Sequence, residues 1–235
     1  MKTNQDYKNA ALGCLRGNWA PAVLATIIYI ILAGVAMGGR ELDTISKYIP
    51  VLSFFSAASS GLRLAIQGGS FLLVFFFIGP LEIGYANAVR ALYEIHDDKV
   101  TSNMFSYGFK EYIRKVATYA LMLVKVFLWT LLLIVPGVIK GFSYAMTPYV
   151  LIDHPELSPN EAIHESSRLM EGHKFDLFWL YLSFIGWAIL AVLTLGIGFF
   201  LLEPYMQASV AAFYNDIKGV DDIIGETPED QAQTL

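Results

Sequence analysis

Two ionisable side chains, Glu82 and Lys125, interrupt stretches of sequence that are otherwise strongly apolar. Such side chains are costly inside a lipid bilayer and commonly line a route for ions or substrates. Glu82 follows Pro80 by two residues, where a proline kink opens backbone groups to water, so the sequence predicts a buried acid that faces the protein interior. Lys125 has a second interpretation, as an anchor whose ammonium reaches the membrane boundary. An ion pair between the two residues is a further hypothesis.

No other group of residues predicts a catalytic, cofactor or metal site. The chain has no nucleophile elbow, Walker loop, zinc-protease motif or dinucleotide fingerprint in a suitable context. Four histidines invite a metal hypothesis, but a metal site needs at least three converging ligands, and these lie in loops and along a polar helix face. The histidines are His96, His154, His164 and His173. We therefore predict no catalytic residue, no cofactor and no metal.

Four apolar segments must position these residues: 19–38, 71–89, 116–139 and 177–202. The last has 26 residues without a charge, more than the approximately 20 that cross the hydrocarbon of a bilayer. It must tilt, project or break near residues 196–198, and the sequence leaves these choices open. The segments predict an all-α fold, a polytopic transmembrane helix bundle of at least four spans. Broken helices would raise that number to five or six, and interfacial amphipathic helices complete the fold.

Proline recurs at similar places in three of these segments, in Gly79-Pro80, Pro136-Gly137 and Glu203-Pro204. Helix-compatible sequence follows each one, which favours kinked helices that continue through the proline. A turn is the alternative at Pro136-Gly137. After it, Gly137, Gly141 and Ala145 form a row of small residues that favours close helix packing, with a hinge as the functional alternative.

The best-specified local structure is an amphipathic helix over residues 158–171, which we call the elbow. Ser158 at the N-cap, Pro159 at the first position and Glu161 at the third form a capping box, and Gly172 predicts the end. One face is apolar and the other charged, as expected for a helix in the membrane interface. Looser copies of elbow plus apolar segment occur at residues 16–19 and 107–109, which suggests an internal repeat.

Composition supports one membrane domain over residues 1–217 and an acidic tail, predicted to be disordered, over residues 218–235. Of the 235 residues, 55% are hydrophobic and only 16% charged, against about 25% charged in soluble domains. With four spans, nine Lys and Arg lie on the side of the N-terminus and six on the other, which predicts cytoplasmic N- and C-termini. No basic cluster indicates nucleic acid. Cys14 is the only cysteine and is predicted to be a structural residue that is buried or lies in the membrane interface.

The stretch over residues 128–187 resembles a family of bacterial integral membrane proteins, domain of unknown function nine-seven-five. Residues 11–19 and 195–205 are also similar to it. The most specific motifs contain Pro136, Gly137, Lys140, Tyr144 and Asp153. In that family the position of His154 usually holds asparagine, which argues against a metal role for this histidine. The resemblance implies a location in the bacterial plasma membrane and no established biochemistry.

The elbow, including Glu161, is more distantly similar to the membrane domain of glycerophosphoryl diester phosphodiesterases. In those proteins a separate soluble domain performs the hydrolysis, so the resemblance implies no enzyme activity. The function that we expect is non-enzymatic association with protein or lipid partners in the membrane. The alternative is a small transporter or channel that works as a homo-oligomer, with Glu82 and Lys125 near the route.

Overall fold

The computed structural model describes residues 2–36, 74–194 and 196–225. These residues form helices and turns without a β-strand, which confirms the all-α prediction for the described ranges. A five-residue π-helical turn, Val74–Ile78, leads directly into α3. The α-helices are α1 Asn4–Leu15, α2 Trp19–Ala36, α3 Gly79–Ile95, α4 Val100–Phe109, α5 Tyr112–Leu132, α6 Ile134–Ser143, α7 Thr147–Asp153, α8 Pro159–Leu169, α9 Lys174–Leu182, α10 Ile185–Leu193 and α11 Phe199–Gly225.

Helices α3 and α11 form the centre of the bundle, and most residues of α3 are buried. Close packing of α3 against α4 depends on two glycines. A Cβ on Gly84 would lie 2.0 Å from the carbonyl oxygen of Met104, and a Cβ on Gly108 would lie 2.9 Å from that of Pro80. Since both obstacles are backbone atoms, a larger residue at either position would push the two helices apart.

Three helix pairs are joined by a short connection that contains a residue with positive φ. Gly17 (φ +89°) separates α1 from α2, which meet at 100°, and Gly172 (φ +83°) separates α8 from α9. The third pair, α4 and α5, turns at Glu111 (φ 52°), while Gly108 lies inside α4. Glycine is the residue with positive φ in the first two connections, whereas in the third it is Glu111, and Gly108 packs on α3. The internal repeat stays a prediction.

The elbow helix α8 has the predicted local structure. The Glu161 amide donates to the Ser158 hydroxyl, and the Ser158 amide donates to the Glu161 carboxylate at 2.8 Å, which completes the capping box. Ile163, Leu169 and Met170 are buried, as predicted, and Glu161 is exposed. The helix is separate from α9, and its angle to a membrane stays a prediction.

The structure differs from the sequence prediction at one of the three prolines. Helix continues through Pro80 from the preceding π-helical turn and through Pro204 within α11. The predicted kink at Pro136 is wrong, because the chain leaves the helix earlier, at Leu133 (φ −159°, ψ 141°), and Pro136 lies in the first turn of α6. Helices α5 and α6 then pack against each other as a hairpin.

Gly137 makes this hairpin possible. A Cβ on Gly137 would lie 2.1 Å from the hydroxyl oxygen and 2.8 Å from the Cα of Thr130, whereas a Cβ on Gly141 would meet nothing within 4 Å. The predicted packing role of the small-residue row therefore applies to Gly137, where the two helices come closest.

Two helical segments are long and apolar enough to cross a membrane, Tyr112–Leu132 and Lys174–Leu193, and the bent pair of α1 and α2 is a third candidate. The fourth apolar segment breaks at Ser183-Phe184 and again before α11, where Gly196 has φ +88°. The prediction of at least four spans stays a prediction, because residues 37–73, which include the start of the second segment, lie outside the described ranges.

The predicted boundary of the C-terminal tail at residue 218 falls inside α11, which continues to Gly225. Helix extends past this boundary because α11 still has partners there. Ile217 is buried, and Lys218 forms an ion pair with Asp153. The rest of the predicted tail, residues 226–235, lies outside the described residues.

Candidate functional site

Glu82 and Glu203 lie on the two central helices, α3 and α11. Glu82 lies in the first turn of α3, and Glu203 lies in α11, directly before Pro204. The two side chains are partly buried and lie within electrostatic range of each other. That Glu82 points away from lipid stays a prediction. We call these two residues the acid pair.

Hydroxyl and amide groups are the immediate partners of the acid pair. The Tyr119 hydroxyl donates a hydrogen bond to the Glu82 carboxylate, and the Gln207 amide donates to Glu203 at 3.3 Å. Tyr29 and Tyr181 lie within electrostatic range of both acids, and Tyr85 lies within range of Glu203. No lysine or arginine within the described part of the chain forms an ion pair with either carboxylate.

A second buried acid, Asp153, lies at the end of α7 and is fully partnered. Arg90 of α3 binds it with two nitrogen atoms, at 2.6 and 3.1 Å. From α11, the Tyr214 hydroxyl donates to it at 2.8 Å and the Lys218 ammonium at 2.7 Å. Glu94 accepts a hydrogen bond from Arg90 at 2.7 Å. We call these five residues the Asp153 network, and it joins three helices.

Electrostatics explain why Asp153 is charged although it is largely buried. Burial alone would raise the pKa of Asp153, but the hydrogen bonds from Arg90 and Lys218 outweigh it and hold this pKa below its ordinary value of 3.8. A two-nitrogen arginine contact is among the strongest ways to hold a carboxylate. The geometry is that of a structural tie between helices.

Lys125 does not reach Glu82. Its ammonium donates a hydrogen bond to the side-chain oxygen of Asn160, at 2.6 Å, on the exposed face of the elbow. The hypothesis of a Glu82–Lys125 ion pair is therefore wrong, and the anchoring interpretation of Lys125 fits its surroundings. The difference arises because α8 packs along α5 and offers Lys125 a nearer polar partner.

The remaining motif residues have identifiable packing or capping contacts. The Lys140 ammonium lies over the ring of Trp129, 5.3 Å from its centre, and Tyr144 is buried at the end of α6. Pro136 and Gly137 shape the α5–α6 hairpin, and Glu161 caps the elbow. These residues are distributed over several helices and do not form one site.

The sequence analysis missed the contacts of several buried or partly buried polar residues, of which Glu203, Arg90 and Lys8 matter most. Glu203 adjoins Pro204 much as Glu82 adjoins Pro80, and this similarity was a usable signal. Lys8 lies in α1, and its ammonium donates to the carbonyl oxygen of Ser183 at 2.7 Å, at the break between α9 and α10. Only the fold brings Lys8 and Arg90 to their partners.

Cys14 is buried, as predicted, and its thiol donates to the carbonyl oxygen of Ala11 at 3.1 Å. Within residues 2–36, 74–194 and 196–225, no three His, Cys, Asp or Glu side chains gather as a metal-binding group.

Residues 131–221 match the model of one protein family, which is described as Protein of unknown function (DUF975). The chain is similar to that family from the end of α5 through most of α11. This match includes Asp153, Glu161 and Glu203, and it leaves out Glu82 and Lys125. No curated protein and no solved structure matches the chain. The distant similarity to the membrane domain of glycerophosphoryl diester phosphodiesterases stays a prediction.

Proposed function

We propose that the protein is an integral protein of the bacterial plasma membrane with both termini in the cytoplasm. Its apolar helices and the large exposed side chains of the α5–α6 hairpin, such as Leu131 and Ile134, support insertion in lipid. Contacts between α1 and the end of α11 support a common side for the termini, since the Tyr7 hydroxyl donates to Asp216 at 2.8 Å. The bias of Lys and Arg in the sequence favours the cytoplasm for that side.

We further propose that the protein transports or conducts a monovalent cation, which the acid pair binds. The observation that carries this proposal is the pairing of Glu82 and Glu203, from two helices, with hydroxyl and amide partners and no ion-pair partner in the described ranges. Two carboxylates held together in a medium of low dielectric constant repel each other, and a bound cation or proton removes that repulsion. A proline lies close to each acid, Pro80 on α3 and Pro204 on α11, and a proline in a helix removes one backbone donor there.

Association with a protein or lipid partner, which the sequence alone favours, is the second candidate function. The exposed apolar residues of the α5–α6 hairpin, from Leu131 to Val135, favour it. Lipid tails would cover these apolar side chains as well as a protein partner would. Association with a partner also gives the acid pair no role. For this reason we place cation transport first, with a homo-oligomer as one of its possible forms.

The experiment is cation flux into vesicles that contain the purified protein. We expect uptake of at least one of H⁺, Na⁺, K⁺ or methylammonium above protein-free vesicles, and its loss in Glu82→Gln and in Glu203→Gln. The matched control is Glu171→Gln, because Glu171 is exposed and lies outside the acid pair. Absence of flux for all four cations, or equal flux in both glutamine variants, would contradict the proposal.

A further inference from the structure

Three fully buried polar atoms on α3 and α7 have no hydrogen-bond partner in the described structure. They are the side-chain oxygen of Asn87 in α3 and the hydroxyls of Thr147 and Tyr149 in α7. These side chains are between 0% and 3% exposed. Leaving such an atom unpaired costs about 1–3 kcal/mol, so three of them on two helices in contact require an explanation.

Asn87 fixes where these atoms lie. Its amide nitrogen donates to the carbonyl oxygens of Ile83 and Pro148, each at 2.8 Å, and so joins α3 to the start of α7. Because both amide hydrogens are used, the side-chain oxygen is left as an acceptor. It lies beside the chain segment that carries the two unpaired hydroxyls.

Tyr149 reaches both acidic regions. It lies within electrostatic range of both Glu203 and Arg90. Its ring stacks on the ring of Tyr214, with centres 4.9 Å apart, and Tyr214 donates to Asp153. Tyr149 therefore packs against the Asp153 network and lies within electrostatic range of Glu203 in the acid pair.

Helix periodicity continues the polar line in both directions. On α11, Glu203, Gln207, Tyr214 and Lys218 follow one another at intervals of four, seven and four residues, which places them on one face. On α3, Asn87, Arg90 and Glu94 follow at intervals of three and four. Polar groups thus extend from the acid pair to the charged surface at one end of the bundle.

We infer that this line is a proton route between the acid pair and the Asp153 network. The inference rests on the proposed function and names its cation as the proton. The side chains at the middle of the line are too tightly buried for a hydrated metal ion, whereas single buried waters typically bridge unpaired polar atoms of this kind, and a chain of waters and hydroxyls passes a proton. Each hydroxyl accepts one proton and releases another, so its own number of protons is unchanged, and the two carboxylates of the acid pair hold the proton between steps.

Among the described residues, the charged and titratable groups near this route come from six helices. They determine the electrostatic potential along the route, with acids at one end and two cations at the other. They are Tyr29 on α2, Glu82, Tyr85, Arg90 and Glu94 on α3, Tyr119 on α5, Tyr149 and Asp153 on α7, Tyr181 on α9, and Glu203, Tyr214 and Lys218 on α11.

The test is proton flux into vesicles that contain the full-length protein and an internal pH-sensitive dye, driven by a potassium diffusion potential. Tyr149→Phe removes only the hydroxyl, and we expect it to reduce proton flux to the level of protein-free vesicles while the melting temperature is kept. Thr147→Val is the second variant, and the same loss is expected. Tyr205→Phe is the matched control, because Tyr205 is a buried tyrosine outside the line that packs on Phe184.

The outcomes separate this inference from the proposed function. Wild-type proton flux in both Tyr149→Phe and Thr147→Val would overturn the route. Flux of Na⁺, K⁺ or methylammonium that depends on Glu82, without any proton flux, would overturn the proton inference and leave the proposed function standing. Absence of flux for every cation would overturn both.

Discussion

The bundle contains two buried acidic regions that are held in opposite ways. Asp153 is surrounded by Arg90, Lys218 and Tyr214, and each of its oxygens accepts at least one hydrogen bond. Among the residues described, Glu82 and Glu203 lie within electrostatic range of each other and have hydroxyl and amide partners only. The same side-chain chemistry therefore serves structure in one region and, under the proposed function, ion binding in the other.

This difference predicts opposite responses to neutralisation. Removing one member of a well-paired buried ion pair leaves the other charge stranded, which is strongly destabilising. Neutralising one of two like charges removes their repulsion and leaves no buried charge without an oppositely charged partner. Stability measurements can therefore distinguish the two regions without knowledge of the transported species.

The largest expected effect is that of Asp153→Ala. It leaves the buried Arg90 guanidinium without its two-nitrogen contact, so we expect a loss of about 3–5 kcal/mol in the free energy of unfolding. Reversible unfolding in mixed detergent micelles measures it. The matched control is Glu156→Ala, because Glu156 is exposed and its ion pair with His154 lies at the surface. A change of the same small size in both variants would contradict a structural role for the network.

Glu203→Gln is expected to change stability in the other direction. The glutamine keeps a hydrogen-bonding side chain beside Gln207 and removes the repulsion with Glu82, which should stabilise the fold by about 1 kcal/mol or more. The same unfolding measurement applies. A loss comparable to that of Asp153→Ala would show that Glu203 has a stabilising cation partner and would remove the contrast between the two regions.

Ser158→Ala sets a baseline outside both regions. Loss of the capping hydrogen bond of the elbow should cost about 1 kcal/mol. The exposed elbow carries neither acidic region, so flux in vesicles should be unchanged. Unfolding in the same micelles checks the first part, and a loss of flux would show that the elbow participates in transport.

The smallest expected effect is the pH dependence of folding stability that results from protonation of Asp153. Because the pKa of Asp153 is lowered in the folded protein, its contribution to stability is fully present above the ordinary value of 3.8 and is lost as the pH falls below it. Thermal unfolding between neutral pH and pH 3 should decline more steeply for the wild type than for Asp153→Asn. Equal slopes would contradict the charged state of Asp153 in the fold.

The sequence predicted the features that depend on neighbouring residues. Ser158, Pro159 and Glu161 specify the start of the elbow locally, and the apolar segments specify helices. Helix continues through Pro80 and Pro204 as expected, but the turn at Leu133 was missed, because proline is the stronger local signal and it lies three residues later.

The candidate site was only half predicted. Glu82 stands out as a charge inside an apolar segment. Glu203 directly follows the apolar segment 177–202, and a charge at that place is expected whether or not it has a function. Their approach depends on the packing of α3 against α11, more than 100 residues apart in sequence, and no local pattern encodes it. The same holds for Arg90 and Asp153, whose pairing depends on how α7 meets α3.

Proton flux with the double variant Glu82→Gln/Glu203→Gln tests the central claim most directly, because the claim assigns function to the acid pair and not to the fold around it. Vesicles with this variant, the wild type and Glu171→Gln should be compared at equal protein content, with the melting temperature measured for each. The account predicts a melting temperature at or above that of the wild type, and flux reduced to that of protein-free vesicles. A double variant that folds and passes protons as fast as the wild type would contradict it.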